Sequence, residues 1–192
     1  MNTLLFAHAR TEVVFMVNQL EVLTQHDNDK QYDYWLHHDL FSAQWWLIVI
    51  LSALFLFIFY LLVDRQRMVF ILLVFFISFV IVGIVDELGK FFGVWSYPHQ
   101  FLVFTHRFNS VDFAVIPVIL TLVYQFFSKW KFYWIASLIA SAFIAFIGVP
   151  IFTFFHLYEL NHWNTWKAFI TVYPIGLFIK AISDFIYSNQ DK

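Results

Sequence analysis

The sequence contains no cysteine. Disulfides, thiolate nucleophiles, iron–sulfur clusters and thiolate metal sites are therefore excluded, and the redox compartment leaves no trace. Charge is scarce as well: 12% of 192 residues are Asp, Glu, Lys or Arg, about half the share in a soluble domain. A chain so short of charged groups cannot cover a surface that faces water. Its 11 Lys and Arg are scattered, and a formal charge of -2 gives no basic footprint, so nucleic acid is not an expected partner. The first ten residues lack the positive region, apolar run and cleavage site of a secretory signal, and are expected in the mature chain. No Gly-rich phosphate loop, nucleophile elbow or paired-carboxylate signature is present.

What the chain has instead is apolar bulk, with 61% hydrophobic and 23% aromatic residues and a mean hydropathy of +0.73. Residues 44–63 carry no charge, and about 20 helical residues cross a hydrocarbon core of about 30 Å. A second uncharged run, 68–85, follows after only Asp64, Arg65, Gln66 and Arg67, which demands a helical hairpin. Three more runs, 111–127, 132–155 and 166–187, complete a transmembrane domain over 44–187, followed by a polar tail, 188–192. The runs are continuous rather than alternating, which excludes a barrel. The fold class expected is an all-α membrane protein, a bundle of about five transmembrane helices. Lys180 and Asp184, four apart in the last run, are expected to pair, with the lysine reaching toward the interface. Residues 1–43 mix apolar positions with His8, Arg10, Glu12 and Glu21, and predict an amphipathic helix lying at the interface. Residues 91–108, interrupted by Pro98, His99, His106 and Arg107, suit an interfacial or re-entrant connection.

Arg65, Arg67, Lys129, Lys131 and Lys192 all fall on one side of this arrangement, so the positive-inside rule puts the amino terminus outside and the carboxyl terminus in the cytoplasm. All eight histidines then fall on the outer side, together with Asp33, Asp39, Asp86, Glu87, Asp112 and Glu159. Pro117, Pro150 and Pro174 also lie in the outer half, where kinked helices with freed carbonyls open a cavity. Asp86 and Glu87 end the second span, where the helix dipole disfavours a carboxylate. Two readings stand side by side. Either they pair with Lys90 or Arg107, or they form an ionisable site at the mouth of the cavity and are the candidate catalytic residues. Trp95, Tyr97, His99, His106, Arg107, Asp112, His156 and Glu159 are candidate binding residues. Asp112, after Ser110, also reads as a first-turn carboxylate beside an N-cap. His156, Glu159 and His162 would share a helical arc were that segment helical, but the arc lacks the HExxH arrangement, so neither a metal nor another cofactor is expected.

Several short motifs run through most of the chain: Tyr34-Trp35 with His38-Asp39-Leu40-Phe41, Gln44-Trp45-Trp46, Asp64-Arg65 with Arg67, Asp86-Glu87-Leu88-Gly89, Trp95-Ser96-Tyr97-Pro98, Asp112 with Ile116-Pro117, Tyr124-Gln125 with Ser128-Lys129-Trp130, and Trp166-Lys167. In these the chain resembles a family of small, uncharacterised multipass membrane proteins of spore-forming Gram-positive bacteria, which implies a bacterial cell membrane and a multipass fold. It is also similar to the membrane domain of lycopene cyclases in having acidic residues after a helix and then Gly93-Val94-Trp95-Ser96-Tyr97. The acid which that family uses beside its proline is missing here, since Pro117 is followed by Val118, Ile119 and Leu120. The expected function is that of a non-catalytic envelope accessory or sensor protein, whose partners are the lipid bilayer and a membrane protein or lipid ligand. The alternatives are a membrane-embedded enzyme on a lipid or isoprenoid, with Asp86 or Glu87 as general acid, and a small-solute carrier.

Overall fold

The computed structural model describes residues 2–103 and 111–189, and the side chains within them except those of 2–13, 111 and 112. These residues divide into two units, Met1–Leu40 and Phe41–Lys192. The first is one helix, α1 (Asn2–Tyr34), ending in a π-helical turn at Trp35–Asp39. The helix forms over the segment expected to lie at the interface, but where its side chains are described, from Val14 on, the apolar residues do not keep to one face. Val14, Phe15, Met16 and Val17 are consecutive and exposed, and at 100° per residue four neighbours point in every direction.

The second unit is an all-α membrane bundle of α2 (Ala43–Leu62), α3 (Met68–Phe91), α4 (Ile116–Phe126), α5 (Trp130–Phe143), α6 (Val149–Phe154) and α7 (Thr165–Ser188). A π-helical turn at Ile144–Gly148 fuses α5 and α6 into one run, Trp130–Phe154. Among the described residues four helices are long and apolar enough to cross a membrane: Ala43–Leu62, Arg65–Phe91, Trp130–Phe154 and Thr165–Ser188. The starts of two are fixed by side-chain caps. Ser42 Oγ accepts from the Trp45 amide at 3.1 Å and Asn164 Oδ1 from the Lys167 amide at 2.9 Å, each satisfying an amide that has no helical partner.

The third expected run forms a different kind of helix. Its apolar stretch, Phe113–Phe126, is the short one, spanning about 21 Å at 1.5 Å per residue. It packs on α2, α3 and α5 and buries Ile116, Pro117, Val118, Leu120, Thr121, Tyr124 and Gln125. Thus α4 is the centre of the bundle, and the long helices stand between it and lipid. The core gathers on it, with Val74 of α3 and Ile179 of α7 fully enclosed. At the contact of α5 with α7, Gly176 has no Cβ because one would stand 2.7 Å from Ser137 Oγ, the close approach that small residues allow between helices in lipid.

The turn between α2 and α3 is tied to α4 by one side chain. Gln125 Nε2 donates to the Leu62 carbonyl at 2.8 Å and Oε1 accepts from the Asp64 amide at 2.9 Å, so the break in the hairpin leaves neither group unpaired. Asp64 in turn accepts from the Gln66 amide and from Arg67 Nε at 2.8 Å. Those bonds, Arg67 first, hold its carboxyl below the usual carboxylate range. Their contribution is present above that range and is lost as pH falls through the lowered folded value.

Lys180 and Asp184 pair as expected, with Nζ 3.0 Å from each carboxylate oxygen, but the lysine does not reach for water. It is fully buried, donates to the Ser128 carbonyl at 2.8 Å, and lies 4.8 to 5.2 Å from the ring centres of Tyr124, Tyr133 and Trp130. Tyr124 adds an O–H donor to Asp184 at 3.0 Å. A cation in an aromatic box keeps its attraction where water is excluded, so this cluster pins α7 to α4 and to the turn before α5.

An asymmetry follows from exposure. Asp184→Asn strands a lysine with 0% side-chain exposure, whereas Lys180→Met leaves a carboxylate that is 33% exposed and can hydrate. Asp184→Asn is expected to lower stability by about 3 kcal/mol or more, and Lys180→Met by less. Thermal unfolding of the two variants in detergent checks the order.

Candidate functional site

The end of the bundle away from the α2–α3 turn is closed by a small antiparallel ribbon, β1 (Trp95–Ser96) with β2 (Glu159–Leu160), in which Trp95 faces Leu160 and Ser96 faces Glu159. Both helices that feed the ribbon stop in the same way. The α3 helix runs on to Phe91, past the end expected at residue 85, and closes with Gly93 N–H on the Lys90 carbonyl and Val94 N–H on the Gly89 carbonyl. Gly93 supplies the φ of +63° that this closure requires. After α6 the same pair of bonds forms, His156 N–H to Thr153 and Leu157 N–H to Phe152, with His156 itself at φ +57°. Imidazole tolerates that region better than most side chains. His156 is therefore a helix terminator. The segment from His156 to His162 is a turn and a strand, so the helical arc of His156, Glu159 and His162 does not form.

Asp86 lies inside α3, not at its end, and is buried at 5% exposure. One oxygen, Oδ1, accepts from Trp95 Nε1 at 2.9 Å and from the Tyr97 hydroxyl at 2.6 Å, while Oδ2 lies 2.6 Å from Lys90 Nζ. The same ammonium sits 5.3 Å from the Tyr97 ring centre. One carboxylate thus anchors the ribbon to the bundle. Gly89 makes room for it, because a Cβ there would lie 1.9 Å from Cζ2 of Trp95. Around the indole stand Trp163, at 5.1 Å edge-on, and Tyr158, which also meets the Tyr97 ring at 5.3 Å.

Beneath this aromatic roof is a cavity of about 260 Å³. Residues next to each proline line it: Ile116 beside Pro117, Val149 beside Pro150 and Ile175 beside Pro174. The π-helical turns at Val111–Val115 and Ile144–Gly148 precede Pro117 and Pro150, and in the second turn Val149 N–H bonds to Ile144 O, one residue further back than in an α-helix. Slipped registers of this kind widen a helix where proline removes a donor. Among the described residues that line it, the remaining walls are aliphatic and aromatic apart from Gly148 and Thr171, and Asp86 is the one carboxylate.

Of the candidate residues, Asp86, Trp95 and Tyr97 converge here. Glu87, next to Asp86, is half-buried and is not among the residues that line the cavity. Nor is His99, which is half-buried in the loop after the ribbon. Glu159 accepts from Ser96 Oγ at 3.3 Å on the exposed side of the ribbon. His106, Arg107 and the Asp112 side chain lie outside the described residues, so the alternative pairing of Asp86 with Arg107 does too. Among the described residues no group of three His, Asp or Glu side chains is placed to hold a metal. Gly89, Tyr158 and the wall of α7 escape the sequence reading: only Gly89, a small residue one turn past an acid, carried a signal.

If Asp86 latches the ribbon, removing either half of the latch loosens the same amides. Asp86→Asn and Gly89→Ala are each expected to speed hydrogen exchange at residues 94–97 and 159–162 by about tenfold or more, leaving α4 protected. Exchange mapped by mass spectrometry reads both regions in one experiment, and unchanged ribbon amides would refute the latch. No family model, curated protein or solved structure matches this chain.

Proposed function

We propose that this protein is a non-catalytic multipass protein of the bacterial cell membrane, an envelope accessory or sensor protein that holds an apolar hydrocarbon chain inside its helix bundle. The observation that carries this reading is the cavity under the ribbon, walled by side chains such as Leu51, Phe55, Ile119 and Val172. Walls of this kind offer dispersion contacts and no solvation for an ion or sugar, so a hydrocarbon is the complementary occupant. A carrier for polar solutes fits less well, lacking polar walls and two related halves with paired broken helices.

The general-acid reading of Asp86 is the weaker alternative. All three of its partners are donors, which suits a carboxylate that accepts, whereas an acid catalyst has to give a proton to its substrate. The resemblance to small multipass proteins of spore-forming bacteria supports the cell membrane as location. For orientation, Arg65, Arg67, Lys129 and Lys131 flank the two short turns at the end opposite the ribbon, which favours a cytoplasmic carboxyl terminus and an outward-facing ribbon.

Two measurements test these readings. Native mass spectrometry of protein extracted with its lipids is expected to show one retained lipid or isoprenoid species, lost in Ile119→Trp, which fills the cavity; no retained species in the parent protein refutes chain binding. Because the chain has no cysteine, single cysteines report sidedness cleanly. Asn161→Cys is expected to react with an impermeant maleimide on intact cells and Gln66→Cys only after permeabilisation, and the reverse pattern overturns the orientation.

A further inference from the structure

The cavity does not stay inside the protein. Phe143, Ile147 and Ile151, four residues apart along the α5–α6 run, line it and are 48 to 51% exposed, so this wall is not backed by protein throughout. Leu51 and Phe55 of α2 line the same cavity. Helix α2 packs chiefly on α4 and on the turn at Val111–Val115, whereas α5 packs on α4 and α7. Among the described residues α2 and the α5–α6 run make no extensive packing contact, so the seam between them is the loosely packed side of the cavity.

The end facing water is built differently. The ribbon is held by Asp86 and by the paired backbones of β1 and β2, and His162 N–H extends the pairing to the Val94 carbonyl at 3.0 Å. The loop beyond it is fastened to α2 through Trp45 Nε1, which donates to the Phe101 carbonyl at 3.1 Å. Opening that roof breaks several hydrogen bonds and a buried ion pair. Parting the seam moves apolar side chains that exchange protein neighbours for acyl chains, at little cost in a medium as apolar as they are.

Resting on the chain-binding reading above, we infer that the occupant is one acyl chain of a bilayer lipid, entering sideways through the seam between α2 and α5–α6 while the lipid's headgroup stays outside the cavity. The volume suits this assignment. At about 260 Å³ the cavity falls just below the range of pockets that enclose whole drug-sized ligands, so it accommodates part of a lipid rather than a complete two-chain molecule. The occupant approaches from the bilayer, where acyl chains are the solvent, and no aqueous step is required.

The test uses the full chain in phosphatidylcholine vesicles containing a phosphatidylcholine with a diazirine in mid-chain. Photolabel is mapped on Ile119 and Val172, which line the cavity, and on Ile50 and Ile170, which are exposed on the outside. In the L51C/I147C variant, both sets are expected to label before tethering. A bis-maleimide joining the two cysteines across the seam is expected to abolish label at Ile119 and Val172 and spare Ile50 and Ile170. Interior label that survives the tether overturns the lateral route but leaves chain binding standing. Interior positions that never label in the parent protein, while Ile50 and Ile170 do, overturn both. Should the first pair fail to fold, F55C/F143C spans the same seam and carries the same comparison.

Discussion

The Asp86 carboxylate is the interaction on which the rest of the site depends. A charge this deeply buried in a helix bundle is tolerated only when its lone pairs are filled and its charge is answered nearby, and Asp86 achieves this by recruiting Lys90 from its own helix and Trp95 and Tyr97 from the ribbon. The requirement works in both directions. Asp86 holds the ribbon down, and the ribbon makes Asp86 affordable. Because the indole and phenol that satisfy it are also the roof of the cavity, the polar chemistry of one residue decides whether the apolar space beneath is sealed from water.

The far end of the bundle solves the same problem with the opposite charge. Lys180 is enclosed by three rings, a carbonyl and Asp184, and Gln125 serves the two backbone groups exposed where the hairpin turns. Between these two polar ends the helices are free to be apolar. The half near Lys180 is filled by packing on α4, while the half near Asp86 contains the prolines, the π-helical turns and the cavity. The bundle is thus closely packed at one end and holds a cavity at the other.

Much of this architecture is written in the uncharged runs, because amides surrounded by acyl chains have few options besides the helix. The hairpin at Asp64–Arg67 and the pairing of Lys180 with Asp184 follow from spacing alone. Burial order does not. Residues 111–127 read as one more lipid-facing span, and only the lengths and contacts of the neighbouring helices reveal that α4 is their centre. The end of α3 lies beyond its apolar run, since such a run marks where the charges begin rather than where Gly93 allows the backbone to turn. For the site, the acid pair and the Trp95–Tyr97 motif were visible as residues, but their convergence required the ribbon, a tertiary pairing across more than sixty positions. The backbone angle with which His156 ends α6 is likewise invisible in the sequence, because it is set by the turn into the ribbon.

A structure determined by electron microscopy in lipid nanodiscs tests the central claim most directly, because it sees the space beneath Trp95 with lipid present. The account predicts continuous elongated density running from the seam between α2 and α5–α6 toward Asp86, with the carboxylate still bonded to Trp95 and Tyr97. A cavity that is collapsed or filled with ordered water beneath an intact ribbon would contradict it.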